Sequence, residues 1–149
     1  MVEAIASWQL GLPGSRELLT SAAAYLLTER IDGPAVVEMA SAYPDENGFR
    51  IDALVENLIT ELRLESELSD GPDVPAARSL CRKVLAGEIS ERNFSRWVHI
   101  HFHHESESDL LNELALLDDE YDEPGYFGTD TPSIRSRVRD LATEILGAD

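Results

Sequence analysis

The apolar residues of this chain recur at helical spacing, and that spacing restricts the fold more than any other feature. The clearest stripe consists of Ile51, Leu54, Val55, Leu58, Ile59 and Leu62. Residues at steps of three and four lie on one face of an α-helix, whereas a strand would alternate with period two. Similar stripes recur along most of the chain. The pattern therefore predicts an all-α fold, a compact bundle of about seven helices without a sheet.

Residues typical of helix ends agree with that count. Ser15, Ser90 and Thr131 are predicted N-caps, because a hydroxyl can accept a hydrogen bond from a free backbone N–H group. Gly87 is predicted to end a helix in the left-handed conformation. An eighth helix forms if the segment 3–10 is also helical.

The length of 149 residues predicts one domain spanning residues 1–149. No apolar run approaches the ~20 residues that a membrane helix needs. The N-terminal sequence carries Glu3 and lacks a basic region, so it does not resemble a signal peptide. Cys81 is the single cysteine, which excludes an intrachain disulfide and gives no reason to expect export. We therefore expect a cytoplasmic protein without a membrane partner, whose oligomeric state the sequence does not indicate.

The charge of the chain is strongly unbalanced. Twenty-nine acidic residues oppose twelve lysine and arginine residues, which gives a net charge of −17. This excess repels phosphate groups and disfavours nucleic acid as a partner. Solubility or adaptation to salt would explain the excess of negative charge, and so would attraction to a basic protein partner.

Ten of the acids lie between Glu105 and Asp130, a segment without lysine or arginine. The leucine-rich helix in this segment is predicted to span 109–117, so the densest acids would follow its end. That is the unfavourable end of the helix dipole for a negative charge. The neighbouring arginines 135, 137 and 139 could offset the cost, or an outside cationic partner could. A calcium loop of the EF-hand type is excluded, because its glycine and glutamate positions do not match.

An outside cationic partner would bind a surface that combines these acids with nearby aromatic side chains. Aromatic anchors carry much of the energy at protein interfaces, and charge sets the association rate. The predicted surface comprises Asp118, Asp119, Glu120, Tyr121, Asp122, Glu123, Tyr126 and Phe127.

All four histidines lie within residues 97–105. On a continuous helix, His99 and His103 are four residues apart on one face, and Glu107 is one step further along. Imidazole and carboxylate groups at this spacing can share a metal ion such as zinc. The sequence therefore suggests His99, His103 and Glu107 as a metal site.

Two observations oppose that metal site. The glutamate general base of an H-E-x-x-H motif is missing. Arg92 and Arg96 precede the two histidines at steps of four and three, and their charges would repel a cation. The alternative is a basic stripe, Arg92, Arg96, His99 and His103, that pairs with acids of the same chain. His101 falls on the apolar side of the helix and is predicted to lie in the core.

Motifs for catalysis are missing from the sequence. It contains no Gly-x-Ser-x-Gly elbow, no phosphate-binding glycine loop and no dinucleotide fingerprint. Cys81 lies beside Leu80 on an apolar stripe, which is typical of an inert buried thiol. We therefore expect no catalytic residues and no cofactor.

The segment 76–90, with an upstream helix that ends in Ile31-Asp32-Gly33-Pro34, resembles a group of uncharacterised helical proteins from actinobacteria. The resemblance implies a helical fold and carries over no functional residues. Immunity proteins that neutralise basic toxins are also small, acidic and helical, an analogy of charge and size.

The sequence thus favours a non-enzymatic, acidic protein-interaction domain, with an immunity- or antitoxin-like inhibitor of a basic partner as its narrower form. A metal-binding helical protein that uses His99 and His103 is the first alternative. A scaffold without a specific partner is the second.

Overall fold

The structure is a computed structural model that describes residues 1–123 and 130–147. Every regular element in these residues is an α-helix, so the all-α prediction is confirmed. The eight helices are α1 (Val2–Gln9), α2 (Ser15–Thr28), α3 (Pro34–Ala40), α4 (Gly48–Leu62), α5 (Asp73–Leu85), α6 (Glu91–Phe102), α7 (Asp109–Asp122) and α8 (Thr131–Gly147). The additional helix relative to about seven is α1, which the sequence left open. Within the described ranges, no helix combines the length and apolar character that crossing a bilayer requires.

The chain divides into two compact units, Met1–Ala76 and Ala77–Asp149, with the boundary inside α5. We call them unit 1 and unit 2 and describe each by itself. The prediction of a single domain stays a prediction.

In unit 1, α1 packs on α2, α2 on α3 and α3 on α4. Each helix contributes fully buried side chains to one core, namely Ile5, Leu19, Val36, Met39, Ile51 and Leu58. The aliphatic stripe of α4 forms one side of that core, as its spacing predicts.

The beginning of α3 depends on a side chain from α4. The Glu61 carboxylate accepts hydrogen bonds from the backbone N–H groups of Ala35 at 2.9 Å and Val36 at 3.2 Å. These N–H groups have no partner within their own helix. A Cβ atom at Gly33 would collide with the same carboxylate, so a larger residue there would displace Glu61 from the N–H groups of α3.

In unit 2, α6 and α8 pack on α7 and on each other. The buried side chains that fill this core are Phe94, Val98, Leu111, Leu114, Ile134, Val138 and Leu141. Arg139 on α8 donates to the carbonyls of Val84 at 2.9 Å and Leu85 at 3.0 Å, at the end of α5. A cation is favourable there, because the carbonyl end of a helix is partly negative.

Two of the predicted helix ends are confirmed and two are wrong. Ser90 accepts a hydrogen bond from the Asn93 N–H group at 3.2 Å, and Gly87 has a φ of +77°. Ser15 is instead the first helical residue of α2, after Gly14 in the left-handed conformation. Asp130 rather than Thr131 caps α8, since its Oδ1 accepts from the Ser133 N–H group at 2.7 Å.

Candidate functional site

The densest acids, which we call the acidic run, are Asp118, Asp119, Glu120, Asp122 and Glu123. All of them except Glu123 lie within α7 and do not follow it. The predicted helix end at residue 117 is wrong, because α7 continues to Asp122. Leu114, Leu117 and Tyr121 are buried and form one stripe at steps of three and four. The buried ring of Tyr121 extends the apolar face by one turn, and the helix extends with it.

Two members of the basic stripe, Arg92 and His99 on α6, face these acids inside unit 2. Arg92 donates a hydrogen bond to Oδ1 of Asp122, and its guanidinium lies 5.6 Å from the centre of the Tyr121 ring. His99 Nδ1 lies 3.0 Å from Oδ2 of Asp118, which is buried. Arg92 and His99 therefore pair with acids of the same chain along the α6–α7 contact, which is one of the two alternatives for this stripe.

Tyr121 is a core residue of unit 2. Burial raises the pKa of its hydroxyl, and the charge of Glu91 adds to that effect, while the guanidinium groups of Arg135 and Arg92 partly offset it. The buried hydroxyl meets no described residue with the geometry of a hydrogen bond. With its side chain enclosed, Tyr121 is not an exposed anchor for a partner.

The other members of the predicted partner-binding set have varied surroundings. Asp118 is buried, Asp122 is paired with Arg92, Glu120 has an interaction of its own, and Glu123 is exposed just after α7. Tyr126 and Phe127 lie outside the described residues. The prediction that this segment binds a basic partner stays a prediction.

The histidines meet the acidic run at the end of α6. The helix ends at Phe102, and His103 follows with a φ of +53°. This turn brings the ring of His104 to 4.8 Å from that of His99, centre to centre. The carboxylate of Asp119 lies beside both, with Oδ2 at 3.4 Å from His104 Nε2 and Oδ1 at 3.6 Å from His99 Nδ1.

We call His99, His104 and Asp119 the histidine–aspartate cluster. One potential ligand atom of each lies within 4.8 Å of the others. His103 and Glu107, which the sequence suggested, are exposed and lie outside the cluster. The predicted spacing assumed a continuous helix through residue 107, whereas α6 ends five residues earlier.

His101 is exposed, so its predicted place in the core is wrong. Its ring stacks on Trp97 at 4.2 Å between centres, and Nδ1 lies 2.9 Å from the Trp97 carbonyl oxygen. The imidazole thus finds its polar partner on the preceding turn of the same helix.

A second candidate site lies in unit 1, around Arg16. Its guanidinium donates to the carbonyls of Pro44 at 2.9 Å and Glu46 at 2.6 Å, and lies 5.6 Å from the centre of the Trp8 ring. Asn47 accepts from the Phe49 N–H group at 2.9 Å and caps α4. These bonds fix the connection between α3 and α4 against the beginning of α2.

Two aromatic side chains are exposed here, Tyr43 in the connection and Phe49 in the first turn of α4. Phe49 is 85% exposed and Tyr43 is 71% exposed. On the other side of Arg16, Trp8 donates to Oδ1 of Asp52 at 2.7 Å. Trp8, Asp52 and Glu56 line a cleft of about 640 Å³ together with Gln9, Gly11, Ser15, Val55 and Ile59.

We call these groups the Arg16 surface, made of Trp8, Tyr43, Asp45, Phe49, Asp52 and Glu56 around Arg16. The sequence pattern singled out none of these residues. The signal in the sequence is a pair of aromatic residues, Tyr43 and Phe49, on either side of a Pro-Asp-Glu-Asn-Gly turn. Neither residue belongs to the apolar stripe of a helix.

Unit 1 is the more acidic of the two units. It contains fourteen acidic residues and four arginines, and no lysine or histidine. Seven of these acids lie in helices, and four of the fourteen, Asp45, Glu46, Asp52 and Glu56, lie on or beside the Arg16 surface. The exposed aromatic groups are therefore set in a negative field.

Comparison with known proteins finds no matching family model, no matching curated protein and no matching solved structure.

Proposed function

We propose that this chain is a non-enzymatic, acidic protein-interaction domain and that the Arg16 surface binds a basic protein partner. The observation that carries the proposal is the exposure of Tyr43 on the α3–α4 connection and of Phe49 in the first turn of α4, at a place that Arg16 and Asn47 hold fixed. Exposed aromatic groups on a fixed backbone can be buried by a partner with little loss of conformational freedom.

The chemistry of the surface argues for a basic partner. Asp45, Asp52 and Glu56 carry negative charge next to Trp8 and the two exposed aromatic residues, within a unit that has ten more acids than bases. An arginine or lysine side chain could lie in the Trp8 cleft between the carboxylates and the indole ring. The excess charge would also speed the encounter with a cationic protein.

An immunity- or antitoxin-like inhibitor of a basic toxin is the narrower form of this proposal, supported by charge and size alone. We propose the cytoplasm as its compartment, because a single cysteine provides no disulfide for an oxidising environment.

The test begins with capture of a partner from the native host, followed by dissociation constants for the purified pair. We expect Phe49→Ala and Tyr43→Ala each to weaken binding at least about tenfold, the loss of a typical anchor residue. Asp45→Asn should slow association mainly, and the effect should shrink at high salt.

Tyr25→Ala is the matched control. Tyr25 is also strongly exposed, at 63%, but it lies nine residues along α2 from Arg16, about 13 Å along the helix axis. Its loss should leave the dissociation constant unchanged. A partner that binds Phe49→Ala and Tyr43→Ala as tightly as the unchanged chain would refute the Arg16 surface as the binding site.

Asp122→Asn with Glu123→Gln tests the segment that the sequence suggested. Weaker binding in this variant alone would move the interface to unit 2. A partner that binds neither surface specifically, or no partner at all, would favour a scaffold whose acidity serves solubility.

A further inference from the structure

The contact between α6 and α7 contains a group of side chains whose chemistry goes beyond charge pairing. His99, His104 and Asp119 each offer a nitrogen or a carboxylate oxygen, and these three atoms lie within 4.8 Å of one another. We propose that this cluster binds a single divalent transition-metal ion of the zinc class. The proposal is independent of the partner proposed above.

The donor set fits zinc. Zinc accepts imidazole nitrogen and carboxylate oxygen at about 2.0–2.2 Å, so neighbouring ligand atoms in a tetrahedral site are about 3.3–3.6 Å apart. His104 Nε2 and Asp119 Oδ2 are 3.4 Å apart, and the two separations that involve His99 are at most 4.8 Å, so they must close by about 1.5 Å at most. The side chains of His104 and Asp119 are each 43% exposed, which leaves them free to make that adjustment.

Asp118 contacts His99, one member of the histidine–aspartate cluster. Its carboxylate is buried, and Oδ2 lies 3.0 Å from Nδ1 of His99. A hydrogen bond from Nδ1 to this carboxylate fixes the ring and leaves Nε2 as the nitrogen of His99 that can bind the metal. Because His99 is only 29% exposed, its ring already has a defined position.

The local charge favours a cation more than the sequence suggested. Of the two arginines that would repel an ion, Arg92 is paired with Asp122 and Arg96 is exposed to water, while two carboxylates adjoin the histidines. Two histidines and one carboxylate leave one coordination position for water. Calcium and magnesium prefer oxygen ligands alone, so the cluster should select against them.

The test uses the full chain without a histidine tag and titrates it with zinc chloride at neutral pH by calorimetry. We expect one ion per chain, and at least about tenfold weaker binding in His104→Ala and in Asp119→Asn. Both residues are partly exposed, so we expect both variants to fold, and circular dichroism without metal checks this.

His103→Ala is the matched control, since it removes the adjacent exposed imidazole that lies outside the cluster. It should keep the zinc affinity of the unchanged chain within about twofold. Excess zinc should raise the Tm of the unchanged chain and of His103→Ala by several degrees, and should not raise that of His104→Ala.

The proposal fails if zinc does not bind at one ion per chain, or if calcium binds as tightly. It also fails if His104→Ala or Asp119→Asn retains the affinity of the unchanged chain, or if His103→Ala loses it. Failure of this test would leave the partner proposal intact, because the Arg16 surface contains none of these residues.

Discussion

Single side chains determine how several helices of this protein begin and end. Asp130 begins α8, because its Oδ1 accepts a hydrogen bond from the Ser133 N–H group at 2.7 Å. Hydrogen bonds from the Ser133 side chain and backbone lower the pKa of Asp130 below its ordinary value of 3.8. On α8 itself, Arg137 donates two hydrogen bonds to the carboxylate of Glu113, and this bidentate pair raises the pKa of Arg137 above its ordinary value.

We expect the charge of Asp130 to stabilise the protein above pH 4 and to lose that effect below it. A carboxyl whose pKa is lower in the folded state contributes stability above its unfolded pKa, and loses it as the pH falls through the folded value. The Tm difference between the unchanged chain and Asp130→Asn, measured from pH 7 to pH 3, should therefore shrink toward zero in acid.

Asp130→Ala separates the charge from the cap. Asparagine keeps an oxygen acceptor for the Ser133 N–H group and alanine does not, so Asp130→Ala should have the lower Tm at every pH. Equal Tm values for the two variants would show that the side-chain cap does not contribute to stability.

At the scale of elements, a side chain of one helix supplies the hydrogen-bond partner that backbone groups at the end of another helix lack. The short α3 has no side-chain cap of its own, and Glu61 on α4 accepts from the N–H groups of Ala35 and Val36. Arg139 on α8 similarly donates to two carbonyls at the end of α5. These contacts join residues that are 25 to 55 positions apart in sequence.

We expect Glu61→Ala to destabilise the protein by about 1 kcal/mol, because two N–H groups of α3 lose their acceptor. In a chain of this size the Tm should fall by roughly 3–5 °C. Thermal unfolding followed by circular dichroism measures the change.

Glu56→Ala is the control, since Glu56 is an exposed acid on the same helix. It removes the same charge and introduces the same residue into α4 without touching α3. If both variants lower the Tm equally, the carboxylate of Glu61 is not a cap for α3.

At the scale of the whole molecule, the excess of negative charge opposes folding of both units. Unit 1 has ten more acids than bases, and the net charge of the chain is −17. The partly exposed ion pairs of unit 2, such as Arg92 with Asp122, recover little of this repulsion, because water screens them.

We therefore expect the Tm to rise by several degrees when sodium chloride is raised from about 10 mM to about 150 mM. Salt shortens the screening length from roughly 30 Å to 8 Å, which weakens repulsion between acids that are far apart. A double variant, Glu65→Gln with Glu67→Gln, should show a smaller rise, since both residues are exposed acids. A fall in Tm with salt would mean that the ion pairs outweigh the repulsion.

The helical class could be predicted because it depends on local information. The stripe from Ile51 to Leu62 has one spacing in sequence and one face on a helix, and the structure buries most of it in unit 1. Ser90 and Gly87 likewise act on backbone groups within a few residues of themselves. The acidic character of the chain follows from its composition alone.

The sites depend on contacts that local reasoning could not supply. The sequence placed His99, His103 and Glu107 on one face by extending α6, but the turn at His103 brings His104 to His99 instead. Asp119 joins them because α7 packs against α6. No spacing within one helix indicates that partner.

By itself, the sequence determined an all-helical protein with a large negative charge, since periodicity and composition are properties of short segments. Only the tertiary structure decided which charges meet. Helix packing brought Arg92 and His99 of the basic stripe to acids of α7 and buried Tyr121. It left Tyr43 and Phe49 exposed. The physical reason is that burial and pairing arise when helices pack, and packing joins residues whose separation in sequence carries no signal.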